Sequence, residues 1–472
     1  VSERGLDTDT PEVRLESDEG KILSHLRVGA DLAELRELLS NKDICGRGVQ
    51  LIGTGFAIDR KQAERMLKIS SDNRKVIHDY QNGKDLAQRS RGLKVIDFFG
   101  YELAQARLFE APYQHILNHV KPERENNNRQ SYRNKWWLFG ENSVATREAV
   151  AGLPRYIAIP RTAKHYLFSF LNEGVIADAK LVVAGLNRGC ELAILSSRLH
   201  VLFALSTGGF LEDRPTYHHS EVFYHFPFAS LTEPQSNNLD ELGERLDAFR
   251  KARLAEHDFL TMTGMYNVLN RLHELAAGVD VPPLTTEEKD VHEGGLISVL
   301  KDIHDEIDRE VFAAYAWSDL GERIIGKPGA TTPSRHKSED QEAAEEELMV
   351  RLVALNQERA AEERRGQVRW LRPGYQKPRL AHRVTSSEQV EAELLEAGMV
   401  EEISWPADGL AQIRTVRDLL QEADAPLGPD AISAMFKGRS TQRRKDRVAE
   451  VLETLAATGA ARASESAYFV PR

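Results

Sequence analysis

The chain has 472 residues, 41% apolar and 29% charged, and its 62 Lys and Arg against 73 Asp and Glu give a formal charge of −11. That length suits roughly two to four soluble globular domains, and the acidic balance excludes a wholly basic nucleic-acid coat. No run of about 18 apolar residues predicts a membrane span, the start VSERGLDTDTPEV lacks a signal-peptide core, and Cys45 and Cys190 have neither metal-ligand nor disulfide-framework spacing. No membrane partner is expected, and cytoplasmic residence fits best.

In chain order, residues 1–40 read as a polar lead and a helix over roughly Gly20 to Leu39. GVQLIGTGFAI (Gly48 to Ile58) reads as strand, glycine turn and strand, and Asp59 is placed to cap the helix RKQAERMLK. Tyr80 to Leu86 reads as a turn, Val95 to Phe99 as a short buried strand, and Glu102 to Ala111 as a helix. A basic helix is expected over Pro122 to Trp136, and another over Ser143 to Ala151. YIAIP, YLFSFL, KLVVAG and ELAILSSRLHVLFAL are short β-prone or mixed apolar runs, joined by Gly, Asn and Pro, and predict a mixed α/β domain to about residue 230. FYHFPFAS closes it as an extended segment. Residues 237–277 and 296–323 have helical spacing. Residues 326–336 read as a loop, 340–365 as a long charged helix, and Arg369 to Arg379 as an extended connector. From 410 to 472 the order helix, short helix, helix, hairpin is a winged-helix outline.

Charge is uneven. From Leu117 to His200 twelve Lys/Arg stand against seven Asp/Glu, and from Ala431 to Arg472 eight stand against four. KPERENNNRQSYRNKWW carries Lys121, Arg124, Arg129, Arg133 and Lys135, which can neutralise phosphates, and Asn126, Asn127, Asn128 and Gln130, which can pair with base edges. Trp136 and Trp137 either stack on a ligand or are simply buried. Arg161, Lys164 and His165 follow the strand YIAIP and form a second candidate strip, with a solvated loop as the alternative. Arg198, in Ser196-Ser197-Arg198, is read as one phosphate contact beside packing residues. Lys437, Arg439, Arg443, Arg444 and Lys445 lie where a recognition helix would begin, or else the module touches protein only. GTGF lacks GxGxxG spacing and reads as a β-turn. His218, His219 and His225 lack a partner set for metal. The sequence contains no Asn-Pro-Pro-Tyr-type tetrad, no S-adenosylmethionine loop, no nuclease carboxylate–lysine set and no P-loop. No catalytic, cofactor or metal residue is therefore assigned in this chain.

GRGVQLIGTGFAI, YQNGKDL, VIDFFG, VKPERENN…NKWWLFGE, LPRYIAIPRTAKHYLF, LAILSSRLH, TYHHSEVFYHFPF and LTMTGMYNVLN together resemble the carboxyl-terminal half of large type II restriction–modification proteins. Within that group the resemblance is to adenine-N6 DNA methyltransferases, including those of phage-defence systems. It continues through IDREVFAAYAWSDL, LVALNQERAAEERRGQVRWLRPGYQ and the terminal module. It implies that Val95 to Phe228 form a target recognition region, and that Gly48 to Ile58 end or exit a catalytic domain absent from this chain. S-adenosylmethionine is then the cofactor of that missing or partner domain, which flips adenine out of the stack. The implied partners are double-stranded DNA, a methyltransferase domain in cis or as a separate subunit, and further defence-system proteins. A first residue of Val rather than Met favours a fragment over a split enzyme.

The expected fold is α+β. It comprises a methyltransferase tail or linker (1–60), a mixed α/β target recognition domain (61–235), a helical region with an extended connector (236–380) and a winged-helix-like module (381–472). The expected function is sequence-specific recognition of duplex DNA for an adenine methyltransferase. A partner-docking regulatory subunit and a nuclease with an unrecognised site are the competing readings.

Overall fold

The computed structural model describes residues 2–4, 12–14, 30–380, 405–406, 408–422, 427–436, 441–457, 461–464 and 467–469. The chain divides into two compact units, 1–384 and 385–472. The architecture is α+β, as expected.

In the first unit β1 (Ser2–Arg4) pairs antiparallel with β2 (Glu12–Arg14). Of the helix expected over Gly20 to Leu39, residues 20–29 lie outside the described residues. The rest contains a 3-10 turn, Leu32–Glu34, and the start of another, Leu39–Asn41, instead. Next come β3 (Cys45–Arg47), β4 (Ala57–Ile58), α1 (Arg60–Ile69), β5 (Ile77–Gln81), α2 (Gly83–Ala87) and β6 (Lys94–Ile96). Asp59 caps α1 in a reciprocal box with Gln62, and Asn82 caps α2 in one with Asp85, so both starts follow from local side-chain chemistry.

Helices α3 (Leu103–Ala106), α4 (Glu110–His119), α5 (Lys121–Glu125), α6 (Gln130–Asn134) and α7 (Val144–Val150) follow. The basic helix expected over Pro122 to Trp136 is thus two short helices. Between them Asn127 Oδ1 accepts from the Arg129 amide at 2.9 Å, and Asn126 Nδ2 donates to the Pro122 carbonyl at 3.1 Å. Such local bonds compete with the helical ladder.

Strands β7 (Arg155–Pro160), β8 (Ser169–Asn172), β9 (Ile176–Ala177) and β10 (Leu181–Ala184) complete two four-stranded sheets. One has the order β3-β10-β7-β8, all antiparallel; the other has β4-β6-β5-β9, with β5 and β9 parallel. Ile157 and Ile159 of β7 and Val182 and Ala184 of β10 enter the large core, while Tyr156, Ala158, Leu181 and Val183 enter a smaller one on the other face. Burial on both faces explains why these strands read as unbroken apolar runs.

ELAILSSRLHVLFAL is not extended. It forms α8 (Gly189–Ser196) and α9 (Arg198–Thr207), bent by 57° at Ser197, whose hydroxyl donates to the Ile194 carbonyl at 2.7 Å. Nearly every residue of the pair is buried, so no amphipathic period marks it in the sequence. Among the described residues no single helix is long and apolar enough to cross a membrane. The hairpin β11 (Gly209–Leu211) and β12 (Arg214–Thr216) follows, and FYHFPFAS contains a 3-10 turn at Phe223–His225.

Helices α10 (Glu233–Glu256), α11 (Met262–Ala276), α12 (Thr286–Gly295), α13 (Ile297–Ala314), α14 (Ser318–Ile324) and α15 (Glu339–Arg364) share one core with β7, β10, α8 and α9. The helical region is therefore continuous with the sheet region and not a separate body. The segment expected as an extended connector is helical at 373–380 (α16). Its buried Gln376 donates to the carbonyls of Ser40 and Lys42, each at 2.8 Å, and these bonds fix that segment against the body of the unit.

The second unit contains α17 (Gly409–Glu422), α18 (Pro429–Ala434), α19 (Gln442–Ala457) and the hairpin β13 (Arg462–Ser464) and β14 (Ala467–Phe469). Val416, Leu420, Ile432, Phe436, Val448 and Leu452 form its core.

Candidate nucleic-acid interface

Strand connections build the site. The segment after β3, the end of β5, the β7–β8 link, the β9–β10 link and the β11–β12 hairpin converge on one cleft of about 1640 Å³. Small-molecule pockets are typically about 300–1,000 Å³, so this space suits a polymer better. Seven cationic residues line it, Arg47, Lys84, Arg91, Arg161, Lys164, Lys180 and Arg214, against two carboxylates, Asp178 and Glu221.

Asp178 is turned inward. It accepts from the Tyr80 hydroxyl at 2.6 Å and from the Lys180 amide at 2.9 Å. Burial, with that carboxylate beside it, pushes the Tyr80 phenol above its ordinary pKa, so it stays a neutral donor. Arg91 pairs with Asp85 at 2.8 Å, and Arg214 lies 3.8 Å from Asp213. Arg47, Lys84, Arg161, Lys164 and Lys180 have no ion-pair partner among the described residues. Their positions are set by backbone bonds: the Arg161 amide donates to the Lys180 carbonyl at 2.7 Å, and the Tyr217 amide donates to the Arg161 carbonyl at 2.8 Å.

A second depression, about 460 Å³, is lined by Asn126 to Arg129, Tyr132 and Glu141, and shares Gln50 and Ile52 with the cleft. Ile52 has φ +47°, an unusual conformation for a β-branched residue, and its side chain packs where a Cβ on Gly140 would otherwise lie. The asparagine loop and the basic cleft thus form one continuous surface.

The candidate residues divide between surface and interior. Asn126, Asn128, Arg129, Gln130, Arg133, Lys135 and Lys164 are exposed, and Lys121, Asn127 and Arg161 are half-buried. Arg124 is interior: its Nη2 donates to the carbonyls of Leu51 (2.8 Å) and Leu138 (3.0 Å), between the rings of Phe56 and Tyr132. It holds the loop from within and is withdrawn from the contact surface.

His165 is also interior. Its Nε2 donates to Asn267 Oδ1 at 3.0 Å, its Nδ1 lies 2.8 Å from the Thr331 hydroxyl, and burial lowers its pKa to about 4. It is a neutral staple and not a groove contact. Arg198 is buried as well, donating to the carbonyls of Lys327 and Pro328 at 2.5 Å each and lying 3.6 Å from Glu345. It ties α9 to the loop and to α15, which rules out the phosphate contact expected of it. Trp136 and Trp137 are core residues, and Trp137 Nε1 donates to the Tyr101 carbonyl at 3.0 Å.

In the second unit Lys437 and Arg439 lie outside the described residues. Arg443 is exposed, Arg444 Nε donates to the Ser433 hydroxyl at 3.3 Å, and Lys445 pairs with Asp430 at 2.7 Å. Among the described residues no group of three His, Cys, Asp or Glu side chains is placed to hold a metal ion. Arg47, Lys84, Lys180 and Arg214 escape a reading of the sequence because they are isolated cations beside short strands, and only the topology gathers them.

Residues 38–230 match the family model described as MmeI, target recognition domain. The matched segment contains both sheets, the asparagine loop and all seven cations of the cleft. It begins before β3, which pairs with β10, so Gly48 to Ile58 fall inside the matched segment, where the sequence resemblance had implied the end or exit of a catalytic domain. One solved structure that the chain resembles is described as the type IIL restriction-modification enzyme MmeI in complex with DNA. The identity is 15%, the match covers 72% of this chain and 39% of that one, and the TM-score is 0.48. The present chain thus spans well under half of that protein's length. A search of curated protein sequences finds no match.

Proposed function

We propose that this chain recognises a specific sequence in double-stranded DNA on behalf of a restriction–modification enzyme. The observation that carries the reading is the coincidence of the family match with an open cleft of seven cations against two carboxylates. Arg47, Lys84, Arg161, Lys164 and Lys180 neutralise backbone phosphates, and Gln50, Asn126 and Asn128 reach base edges. The resemblance to adenine-N6 DNA methyltransferases supports the finer reading that S-adenosylmethionine and the adenine pocket lie on a catalytic domain in cis or on a partner subunit. Phage defence is the setting that the same resemblance supports.

The test is selection from a random duplex library with the full chain, followed by titration at several salt concentrations. Enrichment of one short motif is expected. Reversing Arg161, Lys164 and Lys180 to Glu should then weaken binding to every duplex and lower the salt slope by roughly 0.9 for each phosphate that is no longer neutralised. No enrichment, with the fold intact and a methyltransferase subunit still captured, would favour the partner-docking reading.

A further inference from the structure

His218 and His219 lie just beyond β12. Both are half-buried, and His218 lines the cleft with Arg47, Arg161 and Glu221. The backbone holds the pair in place. Thr216 bridges to Thr162 just after β7, and the Tyr217 amide donates to the Arg161 carbonyl at 2.8 Å. After the pair the chain turns: the Glu221 and Val222 amides donate to the His218 carbonyl at 3.2 and 2.8 Å, and the Tyr224 amide donates to the His219 carbonyl at 2.9 Å.

The charges around the pair are mostly of one sign. Burial lowers the His219 pKa, and His218, Arg47, Lys42 and Arg161 push it the same way. Its ring meets Tyr224 at 5.3 Å, and the Lys42 ammonium lies 4.1 Å over that tyrosine ring. The carboxylates nearby are Glu37, which pairs with Lys42, Asp43 on the Tyr224 side, and Glu221 on the following turn. Arg47 Nε is enclosed and has no hydrogen-bond partner among the described residues. A buried donor of this kind calls for an acceptor that the chain does not supply.

We infer that His218 and His219 complete a phosphate clamp with Arg47 and Arg161, and that duplex DNA enters the cleft with uptake of protons by this imidazole pair. This rests on the DNA-recognition reading above. Without DNA, burial and the neighbouring cations favour neutral rings. A backbone phosphate reverses that balance, because it offsets the cations and accepts from an imidazolium N–H. The complex then holds more protons than the free chain. Affinity therefore rises as pH falls, and the gain is lost as pH rises through the imidazole range.

The experiment uses the full chain and the duplex selected as above, titrated at fixed salt between about pH 6 and about pH 8, with the thermal midpoint checked at each pH. Wild type should bind roughly five- to tenfold tighter at the acid end, tenfold being the effect of a one-unit shift in one imidazole. Calorimetry in buffers of different ionisation heat should show proton uptake on binding. The double variant His218→Gln, His219→Gln should bind at the acid end about as wild type binds at the alkaline end, with a flat profile and no proton uptake. His218→Gln alone, at the cleft wall, should flatten the profile in part and keeps the test decisive if the double variant does not fold. His218→Arg should bind tightly at both ends, since its charge does not titrate. A flat wild-type profile without proton uptake would overturn the clamp and leave DNA recognition standing. So would a pH dependence that both Gln variants leave unchanged. Failure of wild type to bind any duplex at either pH would remove both readings.

Discussion

Arg124 and its neighbours Arg129 and Arg133 look alike in the sequence, yet they sit on opposite sides of the surface. Arg124 is 1% exposed and bonds two carbonyls from within, while Arg129 and Arg133 point outward, the first donating to the Tyr132 hydroxyl at 2.7 Å. Arg124→Met should therefore destabilise the fold by about 2–3 kcal/mol, because it strands two buried acceptors once served by a charged donor. It should leave the salt slope of DNA binding where it was. Charge reversal at Arg129 plus Arg133 should do the opposite, lowering affinity and slope with a smaller stability cost. Urea unfolding and salt titration on both variants separate the two roles, and a changed slope for Arg124→Met alone would place its charge at the interface after all. Composition alone cannot make this distinction. His165 and Arg198 mislead for the same reason: the groups that bury them, Asn267, Thr331 and the Lys327–Pro328 carbonyls, are far away in the sequence.

At the scale of elements, starts are legible and partners are not. Asp59 and Ser338 cap α1 and α15 through bonds a few residues long, so those helices can be read directly. The bent pair α8–α9 cannot, because burial all round erases the helical period. What holds that pair is a backbone contact between helices. A Cβ on Gly243 of α10 would lie 2.0 Å from the Gly189 carbonyl, and one on Gly189 would lie 2.1 Å from that of Asp240. Asp240 Oδ1 also accepts from the Cys190 amide at 2.8 Å. Further along, α10 supports β8 through Arg250, which donates to the Phe168 carbonyl at 2.6 Å, and through Asp247, which accepts from the Phe170 amide at 3.2 Å. Gly243→Ala must part the two helices, since carbonyl oxygens cannot give way as a flexible side chain would. It should cost at least the upper end of the ~1–3 kcal/mol typical of overpacking. Thermal unfolding reads the loss, and an unchanged midpoint would mean that α10 slides freely over α8.

For the whole molecule, the sequence establishes an acidic chain with local basic segments, and the fold concentrates seven cations in one cleft drawn from separate connections. The same folding buries histidines, and this fixes how stability depends on pH. Desolvation lowers His165 to about 4 and His200, His273 and His304 to about 3, and it moves His78, His115, His219 and His225 in the same direction. An unfolded imidazole titrates near ~6.5, so below that pH the unfolded chain takes up protons that the folded chain refuses. The stability these groups contribute is full above about 6.5 and is lost as pH falls toward their folded values. Buried carboxyls run the other way. Desolvation raises Glu191 and Asp308 to about 7 and also raises Glu363, so their contribution is lost as pH rises through that range. With eight imidazoles opposing three carboxyls, the net uptake on unfolding between about pH 5 and 6.5 is positive. The urea midpoint should accordingly be lower at about pH 5 than at about pH 7.5. A midpoint that instead rose toward the acid end would mean that the carboxyls dominate, and that water reaches the buried His165, His200, His273 and His304.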